Sequence, residues 1–162
     1  MIFVCIGSRD YQFNRLIKKM DELVLDGIVT DHVIMQIGES EYIPKYCEYY
    51  RFVDREQFKK YQQEAKLIIS HGGTGALVGA LKMGKQVIAV PRLAKYGEHI
   101  DDHQMQISEV LEKGGYLRMV TDIEKLGEVI KMFDVDPITK KYDKPSNVVT
   151  IIDQFIQNNY LN

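Results

Sequence analysis

The residues best suited to chemistry in this chain lie in Leu67-Ile68-Ile69-Ser70-His71-Gly72-Gly73-Thr74-Gly75, where a short apolar strand pattern runs into a glycine-rich turn that opens a helix. Glycines at such a turn remove the side chains that would keep an anion away from backbone N–H groups. A helix beginning near Thr74 also leaves its first donors unpaired and its positive dipole end facing outward. The chemistry this suits is phosphate binding. The spacing is neither that of the Walker loop nor that of the usual dinucleotide fingerprint, so the motif alone describes a tight strand-to-helix corner equally well.

Two further segments carry polar side chains that could act with it. Gly7-Ser8 follows the first apolar run, and Ser8 is either a hydroxyl donor to a phosphate oxygen or a plain turn residue. The run Pro91-Arg92-Leu93-Ala94-Lys95-Tyr96-Gly97-Glu98-His99-Ile100-Asp101-Asp102-His103-Gln104 is dense in ionisable groups. Arg92 and Lys95 could neutralise a diphosphate, while Glu98, Asp102, His103 and Gln104 could hydrogen-bond sugar hydroxyls. His99 and His103 would share a helix face and suggest a metal, but Asp101 at a capping position would leave His99 outside the helix, so no metal ligand is assigned. His71 either orients a ligand, donates to phosphate or takes a proton, or it locks the turn. Thr74 is expected to cap the helix, donate its hydroxyl to phosphate, or do both.

A helix N-terminus supplies about 0.3–1 kcal/mol to an exposed anion, whereas micromolar to millimolar binding requires roughly 4–8 kcal/mol. The glycine turn therefore has to recruit other segments, and the fold must bring them together. Apolar runs predict strands near 2–6, 33–37, 49–53, 67–70, 86–90 and 116–119. Helical patterns fall near 12–26, 55–64, 74–83, 102–113 and 122–133, with a final helix at 146–158 after a polar loop containing Pro137 and Pro145. Leu16, Ile17, Met20, Leu23 and Val24 give the helix at 12–26 one apolar face. Asp54 with Gln57, Asp101 with Gln104 and Thr121 with Glu124 have capping-box spacing, and Gly27 and Gly84 are placed to end helices. No internal repeat or low-complexity linker interrupts this order.

Strands and helices in alternation predict an α/β, doubly wound, mainly parallel Rossmann-like sheet with helices on both faces, whose crevice lies outside the carboxyl ends of the strands. That rule puts Gly7-Ser8, His71 to Gly75 and Pro91 to Gln104 on one rim. With 162 residues the expectation is one domain over 1–162, large enough to bury roughly 70% of the surface its unfolded chain exposes. A formal charge of −2 with 27% charged residues gives no basic excess to point to nucleic acid. Cys5 and Cys47 suit reduced thiols in the cytosol, and the opening strand Ile2-Phe3-Val4-Cys5-Ile6 has no signal segment before it. No apolar run reaches the roughly 20 residues that span a bilayer.

Taken together, His71 to Gly75, Gly84-Lys85, Val90-Pro91 and His103-Gln104 resemble the C-terminal, donor-binding half of GT-B glycosyltransferases of family 28. The runs Val90-Pro91-Arg92, Tyr96 to His99 and Asp101 to Gln104 are most similar to the small soluble subunits of split bacterial polysaccharide glycosyltransferases and of the dolichol-pathway N-acetylglucosaminyltransferase. The likeness extends over about residues 1–133.

The resemblance implies that the glycine turn faces a nucleotide diphosphate and His103-Gln104 the donor sugar, with direct inversion and no cofactor. In the single-chain relatives a glutamate holding the donor ribose follows the turn; Gly79 aligns with it, so that contact is absent or replaced here. A GT-B enzyme closes its cleft between two domains and this chain matches one. The resemblance therefore implies a membrane-associated partner that binds the acceptor, and a cytoplasmic place at the inner face of the membrane through that partner. Val148, Val149, Ile151, Ile152, Phe155 and Ile156 could give the final helix a face for this domain or for the partner.

The function expected is the nucleotide-sugar-binding subunit of a two-component glycosyltransferase, moving a hexose or N-acetylhexosamine from a UDP-sugar to a lipid-linked acceptor in polysaccharide biosynthesis. Two alternatives stay open. One is a noncatalytic regulatory or enhancer subunit; the other is a self-sufficient small enzyme using His71, His99 and His103.

Overall fold

The computed structural model describes residues 1–143, so the helix expected at 146–158 lies outside the described residues. Six parallel strands form one sheet: β1 (Ile2–Cys5), β2 (Val33–Gln36), β3 (Glu48–Tyr50), β4 (Leu67–Ser70), β5 (Gln86–Ala89) and β6 (Arg118–Met119), in the order β3-β2-β1-β4-β5-β6. The helices are α1 (Asn14–Leu25), α2 (Arg55–Glu64), α3 (Thr74–Lys82), α4 (His103–Lys113) and α5 (Leu126–Val135). The expected doubly wound class is what the chain adopts.

Alternation along the central strands explains the three layers. Ile2, Val4, Leu67, Ile69 and Ile88 point to one face and pack with Leu16, Ile17 and Met20 of α1 and Leu126, Ile130 and Phe133 of α5. Phe3, Cys5, Ile68, Val87 and Ala89 point to the other and pack with Tyr61 of α2, Leu77, Ala80 and Leu81 of α3 and Leu111 of α4. Both faces are covered, which is why these strands read as unbroken apolar runs.

Several boundaries differ from expectation for local reasons. β3 stops at Tyr50 because its neighbour β2 ends where Gly38 turns with φ +51, leaving no ladder for Phe52 and Val53 to join. Asp54 caps α2 as expected, accepting from Gln57 N at 2.8 Å. The other two capping boxes do not form. Asp102, not Asp101, sits at the cap position of α4, and the Asp101 carboxylate is taken by His103 N and the His99 ring. Asp122, not Thr121, accepts from Glu124 N and starts a 3-10 turn (Ile123–Lys125) ahead of α5. Gly27 and Gly84 follow α1 and α3 with φ of +67 and +70, as their positions predict.

The strand order reverses direction between β1 and β4: the chain leaves β1 toward β2 over one face and leaves β4 toward β5 over the other. Cys5 is in register with Ser70 and Ser70 with Ala89, so the segments after β1, β4 and β5 emerge side by side. A crevice opens at that point because the loops diverge there.

Candidate functional site

The crevice is a cleft of about 500 Å³ lined by the loop after β1 (Ile6 to Arg9), the turn His71 to Ala76, and Arg92, His99, Ile100, Asp101, His103, Gln104 and Ile107. The three rim segments expected from sequence therefore converge. Gly7, Ser8, His71, Gly72, Gly73, Thr74, Gly75, Arg92, His99, His103 and Gln104 line it, while Glu98 and Asp102 do not.

Gly73 is the cap residue of α3 and offers no side chain, so Thr74 is the first helical residue and does not cap. The first N–H of α3 to find a helical acceptor is that of Leu77, which donates to Gly73 O at 3.1 Å. The N–H groups of Thr74, Gly75 and Ala76 make no hydrogen bond among the described residues, and all three residues face the cleft. The glycines have distinct reasons. A Cβ on Gly72 would lie 2.6 Å from Gln104 Cβ and 2.7 Å from Gln104 O, so Gly72 lets α4 approach. A Cβ on Gly73 would collide with His71 Nε2, whereas one on Gly75 would meet nothing within 4 Å.

His71 N extends the β1–β4 ladder by donating to Cys5 O at 3.2 Å. The Ser70 hydroxyl donates to His71 O at 3.0 Å, and His71 Nδ1 lies 3.3 Å from Cys5 O. A carbonyl accepts, so the proton is assigned to Nδ1 and Nε2 is an unprotonated nitrogen beside Gly7 and Gly73. Burial, reinforced by the Arg92 charge, brings the His71 pKa down from 6.5 to about 4. The ring is neutral at pH 7 and packed between glycines. This packing locks the turn, and in this tautomer Nε2 is an acceptor on a ring that lines the cleft.

The long loop after β5 is held by side chains that look like surface charges in the sequence. Arg92 is 1% exposed; its guanidinium donates to Ile6 O at 2.6 Å and to Glu98 O at 3.4 Å and lies over the Phe13 ring. Burial lowers its pKa to about 10, opposed by Glu98, so it stays charged at neutral pH. Glu98, also 1% exposed, accepts from Arg15 Nε and NH2, both at 2.9 Å, and from Leu93 N at 3.0 Å. Asp102 accepts from Ala94 N at 2.9 Å, and the Lys95 ammonium sits over the Tyr96 ring. Asp102 and Lys95 line a separate hollow with Thr121 and Asp122.

Gln104 is the hinge between loop and turn. Its Oε1 accepts from Arg92 N at 3.2 Å, and its Nε2 makes no hydrogen bond among the described residues. His99 pairs with Asp101 at 3.1 Å and packs on Tyr11 with ring centres 5.2 Å apart; His103 is exposed. The His103 N–H, then the His99 ring, hold Asp101 below the usual carboxylate range. His99 precedes α4, so the two histidines share no helix face; among the described residues no group of three or more His, Cys, Asp or Glu is placed to hold a metal.

Sequence reasoning missed Arg9, Ile100 and Asp101 as cleft residues and Arg15 as the brace on Glu98. Arg9 had a local signal, being the next residue after Gly7-Ser8. Arg15 had none, because its partner is 83 positions away.

The 3-2-1-4-5-6 parallel order, with its cleft at the switch point beside the open amino end of α3, defines a Rossmann-like α/β domain. The chain belongs to the glycosyltransferase family 28 C-terminal domain family, whose model matches residues 1–155.

It is 26% identical over 124 residues to the mouse UDP-N-acetylglucosamine transferase subunit ALG13, covering 71% of this chain and 10% of that protein. The Yarrowia lipolytica subunit of the same name is 35% identical over 63 residues, 39% of this chain and 30% of that protein. The chain thus spans about a tenth of the mammalian relatives. Among solved structures, Acinetobacter baumannii MurG superposes with a TM-score of 0.64 at 17% identity, over 96% of this chain and 49% of that one. The solution structure of ALG13 superposes with a TM-score of 0.59 at 16% identity, over 99% and 96%. These two show the fold: one half of a GT-B architecture.

Proposed function

We propose that this chain is the nucleotide-sugar-binding subunit of a two-component glycosyltransferase. It would take a hexose or N-acetylhexosamine from a UDP-sugar for transfer to a lipid-linked acceptor in polysaccharide biosynthesis. The observation that carries the reading is the uncapped start of α3, whose Thr74, Gly75 and Ala76 N–H groups open onto the same cleft as Gln104 Nε2. A diphosphate on those N–H groups would place the attached sugar toward His103 and Gln104. As the sugar–phosphate bond breaks, negative charge grows on the leaving diphosphate, and fixed dipoles aimed at it lower the barrier. Ser8 and Thr74 add hydroxyl donors at the rim.

With its pKa brought down to about 4, His71 is a weak proton acceptor, and the Asp101 carboxylate is held by His99 and the His103 N–H, so we assign activation of the acceptor hydroxyl to a second polypeptide. Family membership supports this division, as does the word "subunit" in the names of the curated relatives. No helix of the described residues is long and apolar enough to cross a membrane. In this reading a membrane-associated partner holds the chain at the cytoplasmic face. Where a ribose-binding glutamate is expected, Gly79 leaves open space, with nothing within 4 Å of an added Cβ.

The second reading, a noncatalytic enhancer of the partner, draws on the same locked His71. Co-expression with candidate partners followed by a screen of nucleotide sugars separates the two. The first reading expects saturable UDP-sugar binding by this chain and transfer that depends on it. Absence of nucleotide binding with and without partner would overturn it.

A further inference from the structure

The sequence offers Arg92 and Lys95 as cations for a diphosphate; the fold buries Arg92 under the cleft floor and places Lys95 at another hollow. The Arg92 NH1 and NH2 groups donate to the Glu98 and Ile6 carbonyls beneath the cleft, its buried Nε finds no partner among the described residues, and Lys95 sits over Tyr96 beside a different hollow. Arg15, the other arginine near this loop, is held by Glu98 and Pro91 O. The cleft nevertheless contains Asp101, a carboxylate kept ionised by its hydrogen bonds. The Arg92 charge lies beneath the cleft floor, 1% exposed, so a ligand carrying about two negative charges would meet it only at long range.

Arg9 changes that balance. It lines the cleft, is exposed, and makes no hydrogen bond or ion pair through its side chain among the described residues. Its backbone is fixed on both sides. Gly7 turns the chain out of β1 with φ +80 and its carbonyl accepts from Gln36 Nε2 at 3.1 Å, while Arg9 O accepts from Tyr11 N at 2.8 Å. Tyr11 in turn packs on His99. A guanidinium carried on a fixed backbone and lining the same cleft as three unpaired N–H groups supplies the planar, paired donors of a bidentate phosphate contact.

We propose that Arg9 is the cation that holds the donor diphosphate against the amino end of α3, and so sets the preference of this cleft for a nucleoside diphosphate over the nucleoside. This rests on the donor-site reading above. As a contact to the leaving group, Arg9 would strengthen as charge develops there.

The test is calorimetry on the full chain with UDP and with uridine, for the wild type, Arg9→Gln and Arg9→Lys. The expected result is at least tenfold weaker UDP binding in Arg9→Gln, partial recovery in Arg9→Lys, and uridine affinity unchanged within twofold in both. Raising salt should weaken UDP binding more in the wild type than in Arg9→Gln. Equal UDP affinity in wild type and Arg9→Gln overturns the proposal and leaves the donor-site reading standing; an equal loss of UDP and uridine overturns it too, since Arg9 would then not act through phosphate. A wild-type chain that binds neither ligand overturns the donor-site reading and this inference with it.

Discussion

Glu98 and Arg15, 83 positions apart, form a two-pronged ion pair in which the carboxylate is 1% exposed and the guanidinium side chain 14%. The pair ties the loop after β5 to the first turn of α1, and Arg15 reaches on to Pro91 O at 3.1 Å. The cleft wall is therefore braced from outside, by residues that do not line it.

Removing one partner leaves a buried charge without its counterion. Glu98→Leu is expected to cost about 3–5 kcal/mol, and Arg15→Met/Glu98→Leu substantially less than the sum of Arg15→Met and Glu98→Leu. Urea unfolding of the two single variants and the double variant measures this directly, and additivity would contradict a coupled pair.

The glycines of the turn should separate into two kinds. Gly72→Ala pushes a methyl into Gln104 and the backbone of α4, so a stability loss of about 1–3 kcal/mol is expected. Gly75→Ala meets open space inside α3 and replaces the poorer helix former, so unchanged stability or a gain of up to about 1 kcal/mol is expected. Thermal melts of both variants decide between this division and a uniform need for glycine.

How much of this could be read from the chain follows from distance along it. Strands buried on both faces, the Asp54 cap and the closing Gly27 and Gly84 are written within a few residues of where they act. The cleft residues of the glycine turn were legible for the same reason. Arg92 and Glu98 look like solvated charges because the groups that bury them, Ile6 O and Arg15, come from 86 and 83 positions away. Asp101 has cap spacing, but His99 two residues earlier captures its carboxylate, so the cap position falls to Asp102.

His71 gives the stability a pH dependence of defined sign. Its folded pKa of about 4 lies below the ordinary 6.5, so between those values the unfolded chain binds more protons. The contribution is complete above pH 6.5 and is lost as pH falls through about 4, a span worth about 3 kcal/mol. Urea midpoints for the wild type and His71→Asn across pH 7 to 4 should converge as pH falls; a constant difference would show that His71 is not the titrating group.

Gln104 joins fold and ligand in one side chain, and two substitutions pull those roles apart. Its Oε1 accepts from the buried Arg92 N, while its Nε2 has no protein acceptor among the described residues and faces the cleft. Gln104→Glu keeps an oxygen for Arg92 N and replaces the free donor with an acceptor, so stability should stay within about 1 kcal/mol of the wild type. A UDP-sugar that accepts from Nε2 should bind that variant at least tenfold more weakly, and UDP alone should lose the part of this that comes from the added charge. Gln104→Leu leaves Arg92 N unpaired as well, and should lose about 1–3 kcal/mol of stability in addition. Calorimetry and urea unfolding on the same preparations read the two effects separately. If Gln104→Glu bound the donor as the wild type does, Nε2 would have no part in holding the sugar, and Gln104 would be a brace between Arg92 and the glycine turn alone.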